Sequence, residues 1–140
     1  NPSLLKDINA LESVQRRFTK RLPGMANLTY YQRLVALDIE SLELRRLRCD
    51  LLFLYKLLFG IVKMDLSDFF VPNFNGNLRG HNFKLKLPPC HVNARLNFFS
   101  YRVINPWNAL PLQTDFSSIN TFEQSLSDNF LVQYCKLNFR

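Results

Sequence analysis

Residues 41–60, SLELRRLRCDLLFLYKLLFG, decide the fold of this 140-residue chain. Ser41 is a favourable N-cap residue, and Gly60 suits the left-handed conformation that commonly ends a helix. Between them leucines recur at helical spacing, at Leu44, Leu47, Leu51, Leu54 and Leu58. The stretch therefore predicts a helix over residues 42–59. Because this seam covers fewer than three heptads, it is typical of a core helix rather than of a partner-binding zipper.

Two more helices are predicted before this one. Asn1 and Pro2 suit the cap and the first position of a helix, and residues 23–24 (Pro-Gly) would end it. Within it apolar residues recur with a helical period, at Leu4, Ile8, Leu11, Val14, Phe18 and Leu22. The T-x-x-Q sequence at residues 29–32 is a capping box that opens a short helix ending at about Ala36.

The second half of the chain is less regular. Residues 67–70 suggest a turn, and residues 71–82 are rich in Asn, Gly and Pro and predict a loop. Residues 83–87, FKLKL, alternate apolar and basic side chains as a half-buried strand does. Residues 97–110 fit a strand or a short helix, with a helical restart capped by Asn105 because Pro106 disfavours a continuous helix.

The last predicted helix begins at Asn120, with Glu123 completing a capping box, and buries Phe122, Leu126 and Phe130. Together these elements predict a mainly α fold, a platform of about four helices with a small β-hairpin or strand element in residues 83–104. Residues 1–70 form a helical region, residues 71–130 a basic strand and helix region packed on it as one domain, and residues 131–140 a frayed tail.

The charge is strongly basic, with 18 Lys and Arg against 11 Asp and Glu and a net charge of +7. Such a balance favours a polyanionic partner, either nucleic acid or an anionic lipid surface, although a soluble protein can also simply be basic. The excess is concentrated in residues 71–112, which contain no acid and five cations, Arg79, Lys84, Lys86, Arg95 and Arg102.

These five cations are the candidate phosphate contacts, together with a second cluster on the first helix, Arg16, Arg17, Lys20 and Arg21. Lys84 and Lys86 share one face of the predicted strand, although an edge strand also carries lysines to deter aggregation. Some aromatic side chains suit base stacking, namely Phe74, Phe98, Phe99, Tyr101 and Trp107. Of these, Phe99 and Trp107 are better explained as core residues.

Catalysis has little support, because the chain lacks nucleophile-elbow, metalloprotease and phosphate-loop motifs and has no adjacent acidic pair. Its acids better suit helix N-termini or ion pairs such as Asp50 with Arg46. His81, Cys90 and His91 offer too few ligands for zinc without a distant fourth, so surface histidines and an incidental cysteine are expected. Three widely spaced cysteines indicate a reducing compartment. The longest apolar stretch, residues 51–62, is too short to span a membrane.

Residues 11–24, LESVQRRFTKRLPG, resemble the LE-x-VQRR-x-TK…(I/L)PG stretch that follows the polymerase core in non-LTR, LINE-type (jockey-like) retrotransposon reverse transcriptases. Further similar stretches follow in the expected order, at residues 28–34, 41–51, 55–60, 79–81, 97–105 and 107–111. The resemblance extends from residue 1 to about residue 129.

This resemblance implies a thumb-like, non-catalytic C-terminal segment of an RNA-directed DNA polymerase, whose polymerase and endonuclease residues lie upstream. It implies no catalytic residue, metal or cofactor in this segment, with Mg²⁺ expected only in the polymerase core. The implied partners are RNA or DNA and the remainder of the parent polymerase, with no membrane and no small-molecule substrate. The implied location is intracellular, nuclear with a cytoplasmic ribonucleoprotein stage.

Two hypotheses follow for the role of the segment. The first is that it holds template RNA or the RNA–DNA hybrid through phosphate contacts. The alternative is a structural module that docks on the polymerase core without touching nucleic acid. It is suggested by helix 42–59, which carries apolar residues on more than one face.

Overall fold

A computed structural model describes residues 2–73 and 79–137. Four helices of at least seven residues are present in this part of the chain, α1 (Leu5–Lys20), α2 (Tyr30–Ala36), α3 (Leu42–Leu58) and α7 (Ile119–Ser125). Shorter helices are α4 (Asn93–Leu96), α5 (Phe99–Arg102), α6 (Ile104–Asn108) and α8 (Asp128–Leu131), with 3₁₀ turns at Leu66–Asp68 and Val132–Tyr134. Two strands, β1 (Val71–Pro72) and β2 (Leu85–Lys86), complete the structure. The predicted mainly α fold with a small strand element is confirmed.

Helix α3 runs through the centre of the molecule, as its leucine pattern predicts. The Ser41 hydroxyl accepts a hydrogen bond from the Leu44 amide at 3.2 Å, and Gly60 after the helix has a φ of +67°. Leu51 and Leu54 are completely buried. Helices α1, α7 and α8 all pack against α3, so the two apolar sides of this helix are covered by the chain itself.

The core is built around Trp107 and Phe122, both of which are completely buried. Their ring centroids lie 5.6 Å apart, and the Trp107 indole Nε1 donates to the Phe83 carbonyl at 2.6 Å. The other buried members of this core are Leu44, Leu51, Leu54, Tyr55, Leu57, Phe70, Leu85, Val103, Ile104, Leu110, Leu126 and Leu131. Residues from the first and second halves of the chain therefore share one core.

The two strands are antiparallel, with Val71 opposite Lys86 and Pro72 opposite Leu85. The predicted strand 83–87 is thus reduced to two residues, and its partner lies in the stretch predicted as loop. No member of the ladder needs an N–H from Pro72 when the sheet is this short.

Residues 93–108 are helical rather than extended. The predicted restart at Asn105 is wrong, because α6 already begins at Ile104 after Val103. Pro106 is the third residue of that helix, in the first turn, where the missing N–H has no intrahelical acceptor to serve. Proline therefore marks a helix start here and not a break.

The final helix begins slightly earlier than predicted. Its cap is Ser118 and not Asn120. The Ser118 hydroxyl accepts from the Thr121 amide at 3.2 Å, and the Thr121 hydroxyl accepts from the Ser118 amide at 3.1 Å. This reciprocal pair is a capping box, and Phe122 and Leu126 are buried as predicted.

The prediction of a frayed tail is wrong for residues 131–137. Leu131 is completely buried. The Glu43 carboxylate accepts hydrogen bonds from the amides of Lys136 at 2.8 Å and Leu137 at 2.9 Å. A carboxylate on α3 therefore holds the chain end against the domain, a contact between residues too distant in sequence for local patterns to reveal.

Helix α1 is oriented by its polar residues. Pro2 lies before the helix, which begins at Leu5 rather than at the predicted Asn1-Pro2 start. The residues that α1 buries are Ile8, Glu12 and Thr19. The apolar side chains of its periodic face are instead between 44 and 66% exposed, at Leu4, Leu11, Val14 and Phe18.

Glu12 is the centre of the contact between the first three helices. Its completely buried carboxylate accepts from the Tyr30 hydroxyl at 2.5 Å and from the Leu42 amide at 3.1 and 3.2 Å. Burial and the hydrogen bond to Glu12 raise the pKa of Tyr30. Nearby, Arg33 donates to the Thr19 hydroxyl at 3.1 Å and the Leu28 carbonyl at 2.5 Å.

Replacing Glu12 should therefore destabilise the protein strongly. Glu12→Ala leaves the Tyr30 hydroxyl and the Leu42 amide buried without their acceptor, so we expect a loss of about 3 kcal/mol in the free energy of unfolding. Urea denaturation measures this loss. The matched control is Glu123→Ala at an exposed position, which should change stability by no more than about 0.5 kcal/mol. Equal effects of the two substitutions would contradict this account of α1.

Candidate nucleic-acid interface

A rigid frame supports the basic part of the second half of the chain. The Asn108 side chain pairs with the backbone of β2, accepting from the Leu85 amide at 2.9 Å and donating to the Leu85 carbonyl at 2.8 Å. The Asn73 amide donates to the Lys84 carbonyl at 2.8 Å. These bonds attach the short sheet to the end of α6 and fix the backbone from which Lys84 and Lys86 project.

An open cleft of about 540 Å³ lies at this junction. It is lined by Asn73, Arg79, Lys84, Leu85, Lys86, Leu87 and Asn108. Three of the predicted phosphate-binding cations therefore meet in one cleft, and none of its described lining residues is acidic. Arg79 and Lys86 are exposed, so their charged groups are accessible to a ligand.

Lys84 is held more closely than an ordinary surface lysine. Its ammonium group donates to the Asn108 carbonyl, and burial lowers its pKa. Gly80, at a φ of +99°, allows this approach, since a Cβ there would lie 3.0 Å from the Lys84 Nζ. An ammonium has three N–H donors, so this anchoring leaves two for an anion. Of the predicted lysine face, only Lys86 is fully exposed.

Arg102 does not belong to this cleft. Its guanidinium forms a two-point ion pair with Asp50 on α3, with Nε–Oδ2 and Nη2–Oδ1 distances of 2.8 and 2.9 Å, and also donates to the Asn97 carbonyl at 3.1 Å. Asp50, for which the sequence suggests Arg46, thus receives Arg102. This pairing ties α5 to α3, so Arg102 has a structural role. Arg95 is exposed, with its guanidinium 5.4 Å from the centre of the Tyr101 ring.

The other predicted cluster lies on the last turns of α1. Arg17, Lys20 and Arg21 are exposed. Arg16 is partly buried, and its guanidinium lies 5.1 Å from the centre of the Tyr30 ring. This cluster is on a different element from the cleft, and the two groups form separate basic surfaces.

Most of the aromatic candidates are unavailable for stacking on bases. Trp107 and Tyr101 are buried, and Phe99 packs against the core, as predicted for Trp107 and Phe99. Phe98 is 61% exposed and remains accessible. Phe74 lies outside the described residues.

His81 is buried, so the prediction of a surface histidine is wrong for this residue. Its Nδ1 accepts from the Phe83 amide at 3.2 Å, and its Nε2 lies 2.8 Å from the Trp107 carbonyl. This pattern fits a neutral ring with the proton on Nε2. Within residues 2–73 and 79–137, no group of three His, Cys, Asp or Glu side chains is arranged to hold a metal ion.

Sequence reasoning found the cations of the cleft but missed its amides, Asn73 and Asn108. Asn108 follows Trp107 directly, within a stretch used for the family resemblance. Its pairing with β2, however, joins residues 23 positions apart, and no local pattern reports such a contact. The helices of the described residues include none that is long and apolar enough to cross a lipid bilayer.

Comparison with protein families, with curated proteins and with solved structures gives no match to this chain. The relation to retrotransposon reverse transcriptases thus stays a resemblance carried by the motifs in the sequence.

The burial of His81 predicts a dependence of stability on pH. Burial lowers the pKa of His81 below its ordinary value of 6.5, so the unfolded chain binds a proton that the folded protein excludes. The free energy of unfolding should therefore fall as the pH drops from about 7 to about 5.5. Urea denaturation should show a weaker pH dependence for His81→Gln, and an unchanged one for His91→Gln at an exposed position. An identical pH dependence in wild type and His81→Gln would refute this.

Proposed function

We propose that this protein is a non-catalytic nucleic-acid-holding segment of a retrotransposon reverse transcriptase. It binds template RNA or an RNA–DNA hybrid through the phosphate backbone. The observation that carries the proposal is the cleft in which Arg79, Lys84 and Lys86 meet without an acid among the described lining residues. Such a cleft attracts a polyanion and offers it charge-assisted hydrogen bonds.

The chemistry of the cleft suits sequence-independent binding. Arg79 offers a planar guanidinium that can bind two phosphate oxygens, and Lys86 offers a mobile ammonium. Lys84 offers an ammonium that is already held in place, so less side-chain entropy is lost when it meets a phosphate. These groups recognise backbone phosphates, which position a nucleic acid but carry no base sequence.

The exposed cations of α1 provide a second contact surface in this proposal. Arg17, Lys20 and Arg21 extend the basic area beyond the cleft, and Arg95 adds to it. Arg102 is left out because Asp50 already neutralises it. Longer nucleic acids that reach both surfaces should bind more tightly than short ones, since the two contacts are then linked on one molecule.

In this proposal the chemistry takes place elsewhere in the parent polymerase. The segment supplies no catalytic residue and no cofactor, and Mg²⁺ belongs to the polymerase core. The protein would then work where the element RNA is copied, in the nucleus, with a cytoplasmic ribonucleoprotein stage. The alternative of docking through α3 loses its support, because helices of the same chain cover that helix.

The proposal predicts a salt-dependent affinity that depends on the cleft. Arg79→Gln combined with Lys86→Gln should weaken binding of a labelled single-stranded RNA. It should also reduce the slope of log affinity against log salt by roughly 1.4–1.8, because each lost phosphate contact removes roughly 0.7–0.9. Fluorescence anisotropy over a range of salt concentrations measures both quantities.

The matched control is Arg45→Gln combined with Lys63→Gln, which removes the same charge at two exposed positions outside the cleft. Its slope should stay close to that of the wild type. No RNA binding by the wild type at low salt, or equal losses in both double variants, would rule out the cleft as the binding site.

A further inference from the structure

Helix α1 presents an exposed apolar ridge, formed by Leu11, Val14 and Phe18 and extended by Leu4. These side chains are spaced by three, four and seven positions and therefore lie on one face of the helix. They are 44, 66, 64 and 55% exposed, respectively. Basic side chains line one edge of this ridge, at Lys6, Arg17 and Arg21, and Asp7 interrupts it near its N-terminal end. Contact should therefore be concentrated at residues 11–18.

A groove of about 820 Å³ lies between α2, the segment before α3, α8 and the chain end. Its lining includes the apolar residues Tyr31, Leu34, Val35, Ile39, Leu44 and Val132. Val35 is 64% exposed and Ile39 41%, so an apolar ligand surface could reach them. The groove, named here the α2–α8 groove, thus leaves apolar surface in contact with water.

The α2–α8 groove is acidic although the protein as a whole is basic. Its lining contains Asp38, Glu40 and Asp128. Arg48 pairs with Glu40 at 2.6 Å and with Asp128. One arginine between three carboxylates leaves the groove with a net negative charge, and Asp38 is exposed.

We propose that the apolar ridge of one copy of this protein occupies the α2–α8 groove of a second copy. The ridge is apolar with a basic edge and the groove is apolar with acidic residues, so the two surfaces match in polarity and in charge. An amphipathic helix in an apolar groove is a common mode of recognition. The ridge cannot turn into the groove of its own chain, because Glu12 on another face of α1 is fixed to Tyr30 and Leu42.

The proposed contact joins two different surfaces, a ridge and a groove, and this makes it testable by complementation. Phe18→Asp places a charge on the ridge but leaves the groove intact. Val35→Asp does the reverse. Each variant alone should lose self-association, with an association constant at least tenfold lower than that of the wild type. An equal mixture should form a 1:1 complex, because one intact ridge and one intact groove remain.

Sedimentation equilibrium over a range of protein concentrations measures association for the wild type, each variant and the mixture. Leu112→Asp is the matched control, since Leu112 is 75% exposed and belongs to neither surface; it should associate as the wild type does. Asp38→Asn should weaken association by removing a carboxylate, while asparagine tolerates the φ of 51° at this position. Circular dichroism checks that each variant is folded, and Val14→Asp and Ile39→Asp replace any variant that is not.

A wild-type protein that stays monomeric at the highest attainable concentration would overturn the proposal. So would a mixture of the two variants that fails to associate, or an equal loss in Leu112→Asp. None of these variants changes a cation of the cleft, so the RNA-binding proposal stands or falls independently of this result.

Discussion

The buried Glu12 carboxylate is the interaction on which the arrangement of the first three helices depends. A carboxylate removed from water is costly unless donors surround it, and here the Tyr30 hydroxyl and the Leu42 amide supply them. The Leu42 amide is one of the unsatisfied donors at the start of α3, so a side chain of α1 caps a neighbouring helix. Rotating α1 to bury its apolar face would separate these groups and leave a charge unpaired. The apolar ridge faces outward as a consequence.

The sequence predicted the elements whose signals are local. The caps at Thr29 and Ser41 hold as expected, because a capping hydroxyl bonds an amide only three residues away. Burial of Trp107 also follows from its size and apolarity. The orientation of α1 was beyond reach, because helical periodicity identifies an apolar face without telling what covers it. The tail was missed for a similar reason, since its acceptor, Glu43, is more than ninety residues away.

The candidate site divides along the same line. A run of cations without acids indicated the right region, and three of its members share the cleft. Charge in sequence does not reveal which cations are already neutralised, however. Arg102 meets Asp50 only because α5 packs on α3, and Lys84 meets the Asn108 carbonyl only because β2 pairs with that side chain. Both contacts are tertiary, so a count of basic residues overstates the number that can bind phosphate.

The placement of the acids shapes the electrostatic surface as much as the cations do. Glu12 and Glu43 spend their charge on buried backbone amides, and Asp50 spends its charge on Arg102. Exposed arginines and lysines are thereby left without matching carboxylates, and the resulting field favours approach of a polyanion over most of the surface. The α2–α8 groove departs from this pattern, since Asp38 stays exposed there. A nucleic acid would avoid that groove, whereas a helix with a basic edge would be drawn to it, so the same charge distribution separates the two proposed partners.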